Sequence, residues 1–121
     1  MNSAMSLKNS LYHIISQDSS VWTIRFYAEH PVFSGHFPGY PIVPGACLVQ
    51  IAEELLSDYL NRSVRFTAVR NLKFKQPVMP EHELTIAIIP AKDNIVHFHF
   101  SILNSQSAQF TTTYMCADTD V

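Results

Sequence analysis

His36 and the start of the helix that follows it are the residues best suited to chemistry. Pro44-Gly45 opens that helix, so the first backbone N–H groups, around Gly45, Ala46 and Cys47, have no acceptor within it. Together with the helix dipole, these donors favour a carbonyl oxygen that becomes negative during a reaction. His36 precedes Gly45 by nine residues in an apolar loop, where a neutral imidazole is ready to accept a proton. The alternative is that His36 only hydrogen-bonds a loop carbonyl.

The loop around His36 differs in composition from the rest of the chain. Residues 30–45 contain all three glycines and four of the seven prolines. Proline lacks a backbone donor and glycine relaxes the backbone, so we expect no regular secondary structure there. The segment is also too apolar for a solvated linker, which predicts a packed loop of defined shape.

One helix and about six strands must hold this loop in place. Residues 46–60 carry an apolar stripe at helical spacing, with Asn61 as a stop. The opposite side of this helix collects Gln50, Glu53, Glu54, Ser57 and Asp58. Elsewhere the period is two, which predicts strands over residues 12–17, 21–28, 64–76, 83–89, 95–103 and 109–117. Strands joined by short turns form an antiparallel sheet, so the sequence predicts an α+β domain, a sheet wrapped on one helix.

Composition limits the class of protein. The 121 residues suit one domain over 1–121, and a charged share of 15% suggests that another subunit covers part of the surface. The net charge of −2 argues against a nucleic-acid binder. With no apolar run of about 18 residues and no apolar core of a signal peptide, we expect no membrane partner. Cys47 and Cys116 fit reduced thiols in a cytoplasmic protein.

Two segments of the sequence resemble a known enzyme family. Residues 35–45, GHFPGYPIVPG, closely resemble the signature GHFPGxPxxPG of the FabZ/FabA-type (3R)-hydroxyacyl-[acyl-carrier-protein] dehydratases. Residues 72–80, LKFKQPVMP, resemble the family's second block, KFrrPVxPGD, although Glu81-His82 stands where Gly-Asp is usual. The resemblance runs from about Tyr12 to Met115 and implies the hot-dog fold, a long central helix wrapped by an antiparallel sheet.

The resemblance also implies a mechanism. The family's loop histidine, matched by His36, removes the proton next to the thioester carbonyl, and amides at the helix N-terminus, matched by Gly45 and Ala46, hold the thioester oxygen. An acidic residue fourteen positions after the histidine, on the other subunit of a dimer, protonates the departing hydroxyl. That position is Gln50 here, and an amide has no proton to give at neutral pH. Glu54, one turn further on, is either a substitute acid or a solvated or interface carboxylate.

The remaining candidate residues concern the acyl chain and its carrier. The resemblance implies an apolar tunnel, whose wall candidates, with ordinary core as the alternative, are Phe33, Phe37, Tyr40, Ile42 and Val43. Five of the eight cations form a stretch without acids, either a solvated face or a docking patch for an acidic partner: Arg62, Arg65, Arg70, Lys73 and Lys75. Of these, Arg65, Lys73 and Lys75 are expected on one face of a strand. The family's carrier, acyl-carrier protein, is acidic.

No cofactor is implied by the resemblance, and no metal site is expected. His97 and His99 share a strand face, but no third ligand appears at a suitable spacing. A solvent-facing pair is the favoured interpretation.

One main hypothesis and two alternatives follow. The main hypothesis is a cytoplasmic homodimer that dehydrates 3-hydroxyacyl thioesters on acyl-carrier protein to trans-2-enoyl thioesters, with higher oligomers and heterodimers left open. The first alternative, motivated by Gln50, is a catalytically impaired acyl-binding subunit or heterodimer partner. The second is an acyl thioesterase.

Overall fold

The elements of the fold follow the predicted order, with one short helix added. The computed structural model describes residues 6–35 and 41–117, so His36, Phe37 and Tyr40 lie outside the described residues. Within these ranges the chain forms β1 (Tyr12–Asp18), β2 (Val21–Phe26), α1 (Val32–Gly35), α2 (Gly45–Leu60), β3 (Val64–Phe74), β4 (Glu83–Pro90), β5 (Ile95–Ile102) and β6 (Ser105–Cys116).

One six-stranded antiparallel sheet forms the frame of the molecule. Its strand order is β1-β2-β4-β5-β6-β3, so β1 and β3 are the two edges. Alternate residues of β2 and β5 are buried, as their period of two predicts. The helix α2 covers the buried face. This arrangement is the hot-dog fold, which confirms the prediction.

The core joins the apolar stripe of α2 to the inner face of the sheet. The helix contributes Leu48, Ile51, Ala52, Leu55 and Leu56, and all five lie in one buried cluster with side chains of β2, β4, β5 and β6. In that cluster the rings of Phe98 and Phe110 stack with their centroids 5.0 Å apart. Each large apolar side chain buried in this way contributes about 1.5–3 kcal/mol. Packing against the sheet therefore holds α2, and with it the candidate site, in place.

Residues in the left-handed region set several element ends. Asn61 has φ 55° and ψ 39° and ends α2 at Leu60, as predicted. Leu103 and Asn104 have φ 51° and 67° and form a two-residue turn, across which Ile102 pairs with Ser105. The last strand therefore begins at Ser105, not at the predicted residue 109, because a two-residue turn replaces a longer connection.

The prediction of an entirely irregular loop over residues 30–45 was wrong at its start. Val32–Gly35 forms a single helical turn. The ring of His30 makes this turn possible, because its Nδ1 accepts a hydrogen bond from the N–H of Val32 at 3.0 Å. The N–H groups of Phe33 and Ser34 donate to the carbonyls of His30 and Pro31. His30 thus acts as a side-chain cap, and Pro31 follows it at the first helical position, where proline is favoured.

The predicted single face for the cations of β3 holds for Arg65 and Lys73, although the strand is irregular between them. The pairing of β3 with β6 shifts register between Phe66 and Ala68, and again between Arg70 and Lys73. Asn71, within the second shift, has φ 55°. A bulge adds an unpaired residue and reverses the alternation of side chains beyond it. The two shifts cancel, so Arg65 opposite Met115 and Lys73 opposite Gln109 lie on one face. β3 ends at Phe74 instead of residue 76, so Lys75 follows the strand.

Candidate active site

The N-terminus of α2 is open at its backbone. Pro44 precedes it in an extended conformation, with φ −60° and ψ 145°, and supplies no side-chain cap. Its carbonyl accepts hydrogen bonds from the N–H groups of Cys47 at 2.9 Å and Leu48 at 3.2 Å. The N–H groups of Gly45 and Ala46 come before any intrahelical acceptor, and Ala46 is exposed. These two amides are therefore placed to receive an oxygen that becomes negative.

The ring of Phe74 lies directly against Gly45. A Cβ added to Gly45 would be 2.5 Å from Cζ of Phe74 and 3.0 Å from Cε2, so only glycine permits this approach. Phe74 is still 52% exposed. The last residue of β3 thus forms an apolar wall beside the first residue of α2. The sequence singled out both segments, but not this contact.

The two segments that carry the family resemblance are joined by backbone hydrogen bonds. The N–H of Val43 donates to the carbonyl of Val78 at 2.7 Å, which ties the residues before α2 to those after β3. The turn at residues 79–82 closes through His82, whose N–H donates to the carbonyl of Met79 and whose Nδ1 accepts from the N–H of Met79 at 2.9 Å. His82 therefore orders the turn where the family usually has Gly-Asp.

Gln50 lies on α2 and contacts Glu54 one turn further along. Its side-chain nitrogen Nε2 donates to Oε2 of Glu54 at 3.1 Å. Both side chains are half-buried. The position implied for the acid is thus occupied by an amide whose partner is a carboxylate.

Glu54 itself is engaged by the N-terminal segment. Its Oε2 accepts from the N–H of Leu7 at 2.8 Å, and its Oε1 accepts from the N–H of Lys8 at 3.1 Å and from the hydroxyl of Tyr12 at 2.9 Å. With Gln50, the carboxylate accepts four hydrogen bonds and donates none. Such a group is held in place as an acceptor, which removes the support for Glu54 as a substitute acid.

The remaining polar residues of α2 also serve contacts within the chain. Glu53 accepts from the N–H of Phe66 at 2.8 Å, the hydroxyl of Ser57 accepts from the N–H of Val64 at 3.1 Å, and Asp58 binds the Lys8 ammonium at 2.8 Å. The polar face found in the sequence therefore anchors β3 and the N-terminal segment.

Two ionisable groups near the site are held neutral. Burial, and after it the charge of Glu54, raises the pKa of Tyr12 above its usual value, so its hydroxyl keeps its proton. Burial likewise raises the pKa of the Cys47 thiol. The thiol at this position therefore keeps its proton, which makes it a poor nucleophile.

The tunnel candidates within the described residues lie at or near the core. Phe33 and Val43 are buried, and the ring of Phe33 meets Phe26 edge to face with centroids 6.4 Å apart. Ile42 is half-buried. An open depression near this loop has a volume of about 520 Å³ and a different lining, which is Asn9, Ser10, Tyr27, Glu29, His30 and Pro31. The tunnel stays a prediction, as do the roles of His36, Phe37 and Tyr40.

The five predicted docking cations are all exposed and lie on or beside β3. Lys75 reaches Oε1 of Gln106 at 3.2 Å. Within residues 6–35 and 41–117, the ion pairs are Lys8–Asp58 and Arg25–Glu83, so none of the five has an acidic partner there. Their positive charge is therefore uncompensated along this edge of the sheet.

Residues 6–35 and 41–117 contain neither a cluster of metal ligands nor a helix that could span a membrane. In the described part of the chain, no group of three His, Cys, Asp or Glu side chains could hold a metal ion. His97 Nδ1 lies 2.7 Å from the hydroxyl of Thr111, so its ring has a protein partner. None of the helices in these ranges has the length and apolar character needed to span a bilayer.

Known proteins are similar to this chain in sequence and in fold. A curated 3-hydroxyacyl-[acyl-carrier-protein] dehydratase FabZ of Geobacter metallireducens is 37% identical over 69 residues, and one of Rhizobium rhizogenes is 29% identical over 98 residues. The matches cover 46% and 62% of those enzymes, so the chain spans about half to two thirds of their length. The dehydratase heterocomplex ApeI:P of Xenorhabdus doucetiae has a TM-score of 0.65 and 21% identity, over 87% of this chain and 95% of that one.

A family model described as ApeI-like, ApeI dehydratase, matches residues 13–113. That range contains the His36 loop, the whole of α2 and all of β3, and it covers most of the 121 residues. The chain therefore belongs to the ApeI-like dehydratase family, within the FabZ/FabA type of hot-dog proteins.

Proposed function

We propose that the protein dehydrates 3-hydroxyacyl thioesters carried by acyl-carrier protein to trans-2-enoyl thioesters. The observation that carries the proposal is the family match over residues 13–113, which includes the signature from Gly35 to Gly45. The dehydratases named FabZ among its relatives act, by their names, on 3-hydroxyacyl groups of the same carrier. We further propose one domain over residues 1–121, located in the cytoplasm.

His36 and the first amides of α2 have complementary roles in this reaction. Removal of the proton next to the thioester carbonyl moves negative charge onto its oxygen. The N–H groups of Gly45 and Ala46 receive that charge, and the helix dipole adds to the effect. The Phe74 ring against Gly45 gives this end of the helix one apolar wall, and hydrogen bonds beside apolar groups are stronger than in open water. His36 takes the proton as the base, by the family resemblance.

Protonation of the departing hydroxyl is the step that this chain assists least. Gln50 can hydrogen-bond the hydroxyl but cannot protonate it, and general acid catalysis is worth about 10²–10⁴-fold. We therefore expect slow dehydration. Water, or a residue of another subunit, supplies the proton.

The carrier protein would dock on the cations of β3. Arg62, Arg65, Arg70, Lys73 and Lys75 are exposed and lack acidic partners among the described residues. The same strand ends at Phe74, which touches the helix N-terminus. A carrier held here would deliver its thioester to Gly45 over a short path, and opposite charges would speed the encounter.

The active unit would be a dimer. In the resembled family the histidine and the residue fourteen positions later act together from two subunits, so His36 of one chain would meet Gln50 of the other. A second copy of this chain is the proposed partner. Heterodimers and higher oligomers are the alternatives that a light-scattering measurement of mass would distinguish.

Turnover of 3-hydroxyacyl chains of several lengths, on the carrier and on pantetheine, tests the proposal. We expect enoyl product that vanishes in His36→Ala. The double variant Lys73→Glu/Lys75→Glu should raise KM for the carrier substrate far more than for pantetheine, whereas Lys92→Glu, on the β4–β5 turn, should not. No enoyl product at any chain length would overturn dehydration. Release of free thiol would instead establish the thioesterase.

A second candidate function is a partner subunit that binds acyl chains or completes the site of an active chain. The amide at position 50, bound to Glu54, favours it because no carboxylic acid stands there. A structural neighbour is a dehydratase heterocomplex by its name. Carrier binding without turnover, with turnover appearing after addition of a homologous chain, would support this candidate over the first.

A further inference from the structure

The turn between β5 and β6 presents a leucine to solvent at its tip. Leu103 is 93% exposed, more than any other large apolar side chain of the described residues. Its φ is 51°, and that of Asn104 is 67°. Turns with two such residues favour asparagine and glycine, because the Cβ of a larger residue crowds the next carbonyl oxygen. The isolated chain gains neither burial nor backbone stability from Leu103, which points to a contact with another molecule.

The start of β6 holds this tip in a fixed place relative to the end of β3. Ser107, four residues after Leu103, is fully buried. Its carbonyl accepts from the N–H of Lys75 at 2.7 Å, and its hydroxyl donates to the carbonyl of Gln76 at 3.0 Å. Because a strand rises about 3.4 Å per residue, Leu103 lies within roughly 14 Å of this junction.

Two cations lie at the same end of the sheet as the tip. Lys75 Nζ donates to Oε1 of Gln106 at 3.2 Å, and Gln106 follows Leu103 by three residues. Lys73 lies opposite Gln109 of β6. Neither ammonium has a carboxylate partner within residues 6–35 and 41–117. We call Leu103, Lys73 and Lys75 the tip surface. An apolar side chain beside uncompensated positive charge fits a partner that is acidic and offers an apolar depression.

The tip surface is connected to the start of α2. Phe74 stands between Lys73 and Lys75 in the chain, and its ring lies against Gly45. A partner seated on the tip surface therefore has the first amides of α2 within reach of a flexible arm. This position suits a protein that carries its substrate on such an arm.

A second copy of this chain fits the tip surface less well. β5 and β6 are both flanked by other strands, so a dimer paired along an edge strand leaves the turn uncovered. Two copies meeting tip to tip would oppose their Lys73 and Lys75 ammonium groups. Glu83, at the start of β4, is engaged by Arg25 and offers these cations no free carboxylate.

We infer that Leu103 is the apolar anchor with which the tip surface binds the acyl carrier, while Lys73 and Lys75 bind the carrier's acidic groups. The inference rests on the proposed function for the identity of the acidic partner. It goes beyond the charge of β3, because cations attract any acidic protein, whereas an apolar anchor requires a matching depression. Leu103 therefore determines which carrier is accepted.

Leu103→Asn separates docking from a structural role. Asparagine suits the left-handed turn, so the variant should be more stable, with Tm raised by about 2–5 °C. Its affinity for apo acyl-carrier protein, measured by titration calorimetry, should nevertheless fall about tenfold, since a leucine is no longer buried in the complex. Leu103→Met keeps an apolar side chain and should retain most of the affinity. Ile15→Asn is the matched control, an exposed aliphatic position on the opposite edge of the sheet, and should retain all of it.

Equal affinities of Leu103→Asn and the wild type would overturn the inference, as would a wild type that does not bind the carrier. A halved mass of Leu103→Asn in light scattering would assign the tip to a second copy. Binding to phosphatidylglycerol vesicles that is lost in Leu103→Asn would assign it to a lipid surface. Either result would contradict the carrier as the occupant.

Turnover distinguishes this inference from the proposed function. Leu103→Asn should raise KM about tenfold for the substrate on the carrier and leave KM for the substrate on pantetheine unchanged. Carrier binding that depends on Leu103, without enoyl product from either substrate, would overturn dehydration alone. Enoyl product with equal KM values in Leu103→Asn and the wild type would overturn the anchor alone.

Discussion

At the scale of single residues, Tyr12 shows how one buried hydroxyl joins two parts of the chain. Its side chain is fully buried, and its hydroxyl donates to Glu54 across 42 residues of sequence. Burial first, and the Glu54 carboxylate second, raise its pKa above the ordinary value of 10.0. A phenolate there would be both desolvated and next to a negative charge. The folded state therefore requires Tyr12 to be protonated.

This requirement predicts alkaline instability that depends on Tyr12. Because the unfolded chain releases the Tyr12 proton near pH 10 and the folded chain retains it, stability is complete below that pH. Above about pH 10 the free energy of unfolding then falls by up to about 1.4 kcal/mol per pH unit. In Tyr12→Phe this component should disappear. Denaturant unfolding of both proteins between pH 8 and about 11.5 measures it.

Tyr27→Phe is the control for Tyr12, because Tyr27 is only half-buried and its hydroxyl has no bond to Glu54. It should keep the alkaline loss of the wild type. If Tyr12→Phe loses stability with pH as steeply as the wild type, the Tyr12–Glu54 contact does not govern the alkaline limb. At neutral pH Tyr12→Phe should be destabilised by about 1 kcal/mol, the value of one hydrogen bond.

At the scale of elements, the start of α2 depends on the end of β3. The Phe74 ring occupies the space that a side chain at position 45 would need. Alanine is the better helix former by about 1 kcal/mol, so propensity alone would favour Gly45→Ala. The clash opposes this gain. Because Phe74 is 52% exposed, its ring can move aside without unfolding the helix.

Gly45→Ala should therefore displace Phe74 while α2 stays formed. We expect a stability change within about 1 kcal/mol and a loss of turnover of about tenfold or more, as water enters beside the helix amides. Unfolding free energies of Gly45→Ala, Phe74→Ala and the double variant form a cycle. Since Phe74→Ala removes the clash, the cycle should show coupling of about 0.5–2 kcal/mol. Additive changes would mean that the contact carries no energy.

Periodicity predicted the elements well wherever one buried face determines them. The start of α2 was expected at residue 46 and lies at Gly45, and β2 buries Trp22, Ile24 and Phe26 as its alternation requires. The predictions failed where one particular hydrogen bond or turn determines the bounds of an element. The His30 cap creates α1, two register shifts make the middle of β3 irregular, and the Leu103–Asn104 turn lengthens β6. Local hydrophobic patterns contain no information on these contacts.

The candidate site was predictable only where it lies in a continuous motif. Gly45, Ala46 and Gln50 follow from the loop signature and the count from His36. Phe74 appears in the second segment without any sign that it reaches Gly45. Tyr12 and Leu7 bond to Glu54 across 42 and 47 residues. Contacts of that separation are set by the sheet order, which brings the N-terminal segment onto α2.

At the scale of the whole molecule, the two edges of the sheet differ in a way that indicates where a second chain binds. β1 is 7 residues long, carries a register shift near Ile15 and is polar over its second half. β3 is 11 residues long and exposes Val69, Leu72 and Phe74, with Met115 of the adjacent β6 beside it. A long edge with exposed apolar side chains is the one that pairs with another strand. The charged share of 15% fits a surface that is partly covered.

We expect the protein to be a dimer joined through β3. Val69 and Ile15 are matched probes, because each is an aliphatic residue on an edge strand, exposed by 38% and 42%. Val69 lies opposite Thr112, on the face away from Arg65 and Lys73, so a lysine at position 69 would place a charge among the apolar side chains of this edge. Val69→Lys should therefore halve the mass measured by light scattering at micromolar concentration, whereas Ile15→Lys should leave it at twice that of a 121-residue chain.

The same two variants connect assembly to chemistry. If His36 of one chain and Gln50 of its partner form each site, dissociation removes turnover as well as mass. Val69→Lys should then lose dehydration in proportion to the monomer fraction and recover part of it as protein concentration rises. Ile15→Lys should keep full activity at every concentration. A Val69→Lys monomer with undiminished turnover would show that one chain holds a complete site, and dimerisation through Ile15 would place the interface on β1.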